Sequence, residues 1–274
     1  MKRNIFKKTL AVVLTLMMVL GTLAALPMGV GAEVAAWDGS TKTQPAGAGT
    51  AADPYVIADG ANLAWLSANA ASLTADVTYL TFSADVNLGN KDFTPIAAPK
   101  AVNIAGNGKT ISGLKVTGVA DAGLFSILYG GEITDLHFAN SFIDASSAKE
   151  SCAGLLAGKV KNTVTITSCT TDAVSTVTGN LAGGLVGMTV KNGPVVLTFD
   201  KCVNRATVEG TIDNNGSPYA GGLLARQHSG TQVTFTYCVN TGSITGHAVP
   251  TGVSTLIGGL LAESRYVADR KSVV

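Results

Sequence analysis

A short glycine-rich phrase returns through the second half of the chain: Ala-Gly-Leu-Phe at 122–125, Ala-Gly-Leu-Leu-Ala-Gly at 153–158, Ala-Gly-Gly-Leu-Val-Gly at 182–187, Ala-Gly-Gly-Leu-Leu-Ala at 220–225 and Ile-Gly-Gly-Leu-Leu-Ala at 257–262. Glycine weakens a strand and has no place inside a helix, yet here it leads directly into aliphatic residues of core type. With Leu124, Leu155, Leu185, Leu223 and Leu260 as markers, the spacings are 31, 30, 38 and 37 residues. Two other phrases keep step. One ends at Leu136, Cys169, Cys202 and Cys238; the other reads Thr-Val-Thr-Gly at 176–179, Thr-Val-Glu-Gly at 207–210 and Ser-Ile-Thr-Gly at 243–246. A unit of this size cannot bury its own apolar face, so unit must stack on unit.

Periods in the thirties also suit helical repeats. Between the glycine phrases, however, apolar residues alternate with threonine, as in Val164-x-Ile166, Leu197-x-Phe199 and Val233-x-Phe235. That is strand patterning of period two. Three short strands per unit, stacked about 4.8 Å apart, predict an all-β chain wound as a right-handed parallel β-helix with three-strand coils of about 30–38 residues. Glycine at one fixed point of each coil lets the backbone turn a crowded corner while the following aliphatic pair enters the core.

The ends of the chain read differently. Lys2, Arg3, Lys7 and Lys8 precede an apolar run from Leu10 to Leu20, and Val30-Gly31-Ala32 is a small-residue cleavage site. Residues 1–32 are expected to be a signal peptide, since the run is shorter than the ~20 residues a bilayer needs. The last six residues, 269–274, back-translate into the opening of a common DNA-sequencing adapter and are expected to be a non-native tail. Between these ends, residues 33–268 hold 13 Lys and Arg against 17 Asp and Glu, a net charge of −4. Such a mildly acidic surface lacks the basic stripe that nucleic acid or anionic lipid requires. After signal removal no membrane insertion is expected.

The phrases 153–158, 182–187 and 257–262, each followed by a strand ending in cysteine or leucine, resemble the GLUG repeat of secreted and surface-attached bacterial β-helical proteins. These include adhesin-like proteins and the non-catalytic part of some immunoglobulin-cleaving proteases. The resemblance covers 123–262; upstream segments at 49–68, 79–88 and 106–114 look like the lead-in to such arrays. It implies a β-helix over 96–268, truncated at its end, and an N-terminal cap with first strands over 33–95. There Pro54 to Ile57 would form a strand, and Leu63, Trp65, Leu66 and Leu73 a short capping helix. It carries no catalytic residues.

Four cysteines in an exported chain invite disulfides. Three of them share a slot that the preceding coil fills with Leu136, so buried thiols are expected. Asn204 and Asn240, two residues past that slot, are expected to bond to their own turn or to each other. No metal or cofactor is expected, because His137, His228 and His247 fall at unrelated points and Asp213-Asn214-Asn215-Gly216 lacks the spaced ligands of a calcium loop. The candidate contacts are Tyr219, Arg226, Gln227 and His228, read as loop residues in the joints of the longer coils. The expected function is a non-enzymatic extracellular or cell-surface module, a stalk or adhesin-like repeat that presents loops to a glycan or to a host or neighbour-cell protein. Two alternatives stand beside it: a polysaccharide lyase or hydrolase of β-helix type, and the N-terminal part of a larger surface protease. N-terminal sequencing of the exported protein should begin at Glu33, and a soluble extracellular form starting at Met1 would refute the signal assignment.

Overall fold

A computed structural model describes residues 34–190, 195–212, 217–247 and 254–264. The expected signal peptide, the 213–216 loop and the 269–274 tail lie outside them. The described residues after Val34 form one compact unit whose regular elements are short strands, apart from one helix and a 3₁₀ turn.

Every strand pair in this unit is parallel, and each strand lies beside its counterpart from the adjacent unit. The result is a stack of coils with a parallel β-helix-like path. The first sheet runs through Tyr55–Ile57, Val77–Phe82, Ala101–Ser112, Gly131–Ala139, Val164–Thr167, Val195–Asp200 and Thr231–Thr236. The second collects Lys115–Thr117, Phe142–Asp144, Thr176–Gly179, Thr207–Gly210 and Ile244–Gly246. Two more sheets follow instead of the single one expected, so the coil passes through four sheets and not three; from Val164 on it has five strands, because Thr170–Thr171, Val203–Asn204 and Val239–Asn240 add a second short strand to the first sheet. The glycine phrase is divided between them: the third sheet holds Asp121–Ala122, Cys152–Ala153, Leu181–Gly183, Tyr219–Gly221 and Leu256–Gly258, and the fourth holds Phe125–Leu128, Ala157–Val160, Val186–Thr189, Leu224–Gln227 and Leu261–Ser264.

The corner between the third and fourth sheets is too tight for a side chain. At Gly154 an added Cβ would lie 2.6 Å from the carbonyl oxygen of Ala157, and at Gly183, Gly221 and Gly258 it would enter the carbonyls of Val186, Leu224 and Leu261. None of these four has a left-handed φ. Glycine is required here by the close approach of backbone to backbone and not by an unusual dihedral. The register also corrects one marker: Leu156, not Leu155, bonds to the Leu185 carbonyl, with Ala157 opposite Val186.

Left-handed residues do occur, at a different corner. Asp135, Ser168, Lys201 and Tyr237 have φ of 52, 55, 53 and 51°, and each immediately precedes the Leu136, Cys169, Cys202 and Cys238 slot. The chain bends there, and the next residue points inward. Leu136, Cys169 and Cys202 are fully buried, and Cys238 is half-buried. One position beyond the neighbouring column lies a polar ladder within the core. The Thr171 hydroxyl donates to Asn204 Oδ1 (2.6 Å), Asn204 Nδ2 donates to Asn240 Oδ1 (2.8 Å), and the two amides also donate to the carbonyls of Ala206 and Gly242. Asn204 thus bonds both to its own turn and to its copy. A Cβ on Gly184 would press on Asn204, so the second glycine of that phrase makes room for the amide.

Around these ladders the aliphatic columns fill the interior. Ile104, Ile133, Ile166, Phe199 and Phe235 stand in register, with the two phenyl rings stacked at 5.1 Å and 6°. Such a pair contributes about 0.5–1.5 kcal/mol beyond its buried area. Upstream, the helix α1 (Gly60–Asn69) begins at Asp59, whose carboxylate accepts from Asn62 N at 2.9 Å. Leu63 and Leu66 on α1 join the same core. Leu73, expected on this helix, is buried just beyond a 3₁₀ turn at Ala70–Ser72.

Gly183→Ala should cost about 3 kcal/mol or more, because the backbone facing it cannot retreat without breaking the coil stack. Lys201→Gly should instead add about 0.5–1 kcal/mol by relieving a left-handed side-chain residue. Urea titrations of both variants read the signs. Burial pushes the Cys169 thiol up to about 12. Its protonated form is the one the core holds, so this contribution to stability is full below about pH 8.5 and is lost as pH rises toward 12. Labelling at pH 8 should be slow at Cys169 and Cys202, faster at Cys238 and complete in denaturant; equal native rates at Cys169 and Cys238 would refute the assignment.

Candidate functional site

Two outward columns face each other across the glycine corner. Two residues before the glycine of each coil, the third sheet presents Asp121, Cys152, Leu181, Tyr219 and Leu256. The fourth sheet presents Ile127, Lys159, Met188, Arg226 and Glu263 in register. Because the corner carries no side chains, the columns close on each other and form a seam outside the main core. Cys152, Leu181, Tyr219 and Ala225 are its buried centre, with Met188, Leu256 and Ala262 packed on them.

Charges flank this apolar strip in matched pairs. Lys159 Nζ lies 2.8 Å from Asp121 Oδ1, and Arg226 Nε lies 2.8 Å from Glu263 Oε2. Their side chains are only 17–23% exposed, so these pairs are less screened than ordinary surface pairs. The Arg226 guanidinium also sits 5.2 Å over the Tyr219 ring. Burial draws the Lys159 ammonium down, but the hydrogen-bonded, charged Asp121 carboxylate acts against it, and the group stands above its usual value. Cys152 itself is pushed up to about 12 by burial. It is a thiol at neutral pH, not a thiolate nucleophile.

The structure relocates most of the residues read as loop contacts. Tyr219, Arg226 and Gln227 lie on strands, where the seam or the stack holds them. Tyr219 is 8% exposed and Gln227 is 5% exposed. Gln227 donates from Nε2 to the Thr231 carbonyl (2.6 Å) and accepts from Ser264 Oγ (2.8 Å). His228 alone sits in a joint, half-buried, with its backbone N–H on Thr189 Oγ1 at 2.8 Å. The expectation failed for a local reason. Residues 219–227 carry polar groups without strict alternation, because the outward side of these two strands is not solvent but the opposing column.

Among the described residues no cluster of three or more His, Cys, Asp or Glu side chains is arranged to hold a metal ion. His137 and His247 each meet one carboxylate, Asp135 at 3.5 Å and Glu209 at 2.6 Å, on different sheets.

Length varies most at the joint from the second to the third sheet. Its intervals are 118–120, 145–151, 180, 211–218 and 247–255, whereas the glycine corner from third to fourth sheet holds nearly constant length. At this joint Asn180 Nδ2 donates to the carbonyls of Thr211 (3.0 Å) and Ser217 (3.3 Å), tying one coil's joint to the next. Sequence spacing alone contained the seam columns, at two residues before the glycine and three after the corrected marker leucine. Only the corner's geometry shows that they meet.

No family model matches the sequence, and no curated protein matches it. Among solved structures, a protein from Bacteroides ovatus described as a "putative immunoglobulin A1 protease" aligns with 79% of this chain and 86% of its own, with a TM-score of 0.44 and 14% identity.

Proposed function

We propose that the chain is an exported, non-enzymatic repeat module of GLUG type at the bacterial cell surface, whose stack presents loops for recognition of an extracellular glycan or protein. One observation carries this reading: the joint from the second to the third sheet has the widest range of lengths of any corner, one to nine residues, against two to five at the joint from the fourth to the first sheet. Binding residues accumulate on loops held by a rigid support, and a stacked array repeats such a loop at each level. On this reading the coils wind right-handed, as crossovers between parallel strands of one sheet nearly always do. α1 then closes the N-terminal end of the core through Leu63 and Leu66.

The ionised groups of the seam fit a structural role better than a catalytic one. Asp121 and Lys159 neutralise each other, as do Arg226 and Glu263, whereas acid-base catalysis needs such groups to face a substrate. Placement at the N-terminal side of a larger surface protease is compatible with the same module. The test is incubation of the exported protein with pectic, alginate and glycosaminoglycan substrates, with and without calcium, followed by reducing-end and unsaturated-product assays. Saturable binding to a glycan or mucin without product is expected. Turnover that Asp200→Asn or Arg226→Met abolishes would overturn the module reading.

A further inference from the structure

A groove of ≈ 290 Å³ lies far from the seam, on the outward face of the first sheet near its upstream end. Its floor is Tyr79, Thr81, Asn103 and Thr134 from three successive strands, Glu132 stands at one side, and Pro54 with Ala51 forms the opposite wall. The volume is that of about ten liquid waters, near the lower end of small-molecule sites at ~300 Å³.

The wall is fixed in place. Tyr79 N–H donates to the Gly49 carbonyl (2.9 Å), Ala48 and Thr50 N–H donate to the Asp53 carbonyl (3.0 and 3.1 Å), and Val56 N–H donates to the Ala46 carbonyl (2.8 Å). The polar groups are oriented as well. Asn103 Oδ1 accepts from the Glu132 backbone N–H at 2.9 Å, which leaves the Nδ2 amide to donate outward. Thr81 Oγ1 accepts from Asn107 Nδ2 (3.0 Å), which leaves its own proton to donate, and Thr134 donates to the Ile104 carbonyl (3.2 Å), which leaves its lone pairs to accept. The Tyr79 hydroxyl and the Glu132 carboxylate have no partner among the described residues.

We propose that this groove is a subsite for one neutral hexose ring of an extracellular glycan. Adjacent sugar hydroxyls each donate and accept, and the groove offers oriented donors at Asn103 and Thr81 beside acceptors at Glu132 and Thr134. The aromatic ring of Tyr79 and the apolar faces of Ala51 and Pro54 suit the C–H face of a pyranose. Glu132 is the only charged residue in the lining, so a uronate or sulfated sugar meets a carboxylate with no cation to offset it. Groups already held in place reduce the ordering cost of binding. Glu132 also heads an in-register outward row, Thr165, Thr198 and Thr234, which extends hydroxyl contacts along the stack for a longer chain.

The subsite rests on the glycan-binding form of the proposed function but places the contact in the groove and not at the joints, and the experiment separates the two. Maltotriose, cellotriose, mannotriose and trigalacturonate are titrated into the full exported protein by NMR and calorimetry. At least one neutral trisaccharide should saturate at millimolar concentration or below, with trigalacturonate at least tenfold weaker. Glu132→Gln, an exposed change that leaves packing intact, and Tyr79→Ala should each weaken binding tenfold or more, while Arg226→Met at the seam leaves it unchanged. No saturation by any neutral trisaccharide, equal affinity for trigalacturonate, or neutral-sugar binding that survives both groove variants would overturn the subsite. The last result would leave recognition by the joint loops standing.

Discussion

Everything in this molecule depends on backbone meeting backbone at the corner between the third and fourth sheets. A Cβ at Gly183, Gly221 or Gly258 would fall inside a carbonyl oxygen three residues onward in the same coil. That contact sets the angle of the corner, and the angle has two results. Inside, it carries Leu185, Leu223 and their counterparts into the core. Outside, it folds two strand faces onto each other, so residues that alternate outward become partners across the seam instead of surface groups.

The interior is not purely aliphatic, and its polar part is satisfied within itself. The Thr171, Asn204 and Asn240 side chains form a continuous hydrogen-bonded line through successive coils, and Ala206 N–H also reaches Asn204 Oδ1 at 3.2 Å. A buried amide left without partners costs about 1–3 kcal/mol, so such a ladder is stable only in one register. A slip by one residue would set Asn204 opposite Val239 or Thr241 in place of Asn240 and break the amide-to-amide bond. Aliphatic columns alone would discriminate less sharply, because one branched side chain replaces another with little penalty.

How much of this was legible in the sequence differs by feature. The glycine phrases, the Leu136–Cys169–Cys202–Cys238 slot and the Asn204/Asn240 pair announced stacking, burial and mutual bonding, because each is a local residue type repeated at one phase. The count of strands per coil was not legible. A bend between Gly183 and Val186 leaves two- and three-residue strands whose pattern is too short to separate. Tyr219, Arg226 and Gln227 were misplaced for a related reason: polarity in a strand reads as exposure unless the opposing face is known. The groove around Tyr79 combines residues from the 49–54 wall and three later strands, a conjunction that no local pattern contains.

The direction of the hydrogen bonds has a mechanical consequence. In this stack the ladders between coils run along the long axis, and the covalent chain winds across it. Tension applied at the two ends would therefore load one coil-to-coil interface at a time, as a zipper is loaded, and not shear a whole sheet together. Each coil that peels away would release about 100–130 Å of contour length, from ~3.4 Å per residue over a 30- to 38-residue turn. The stack would then yield in small, repeated steps under load, lengthening before it gives way as a whole.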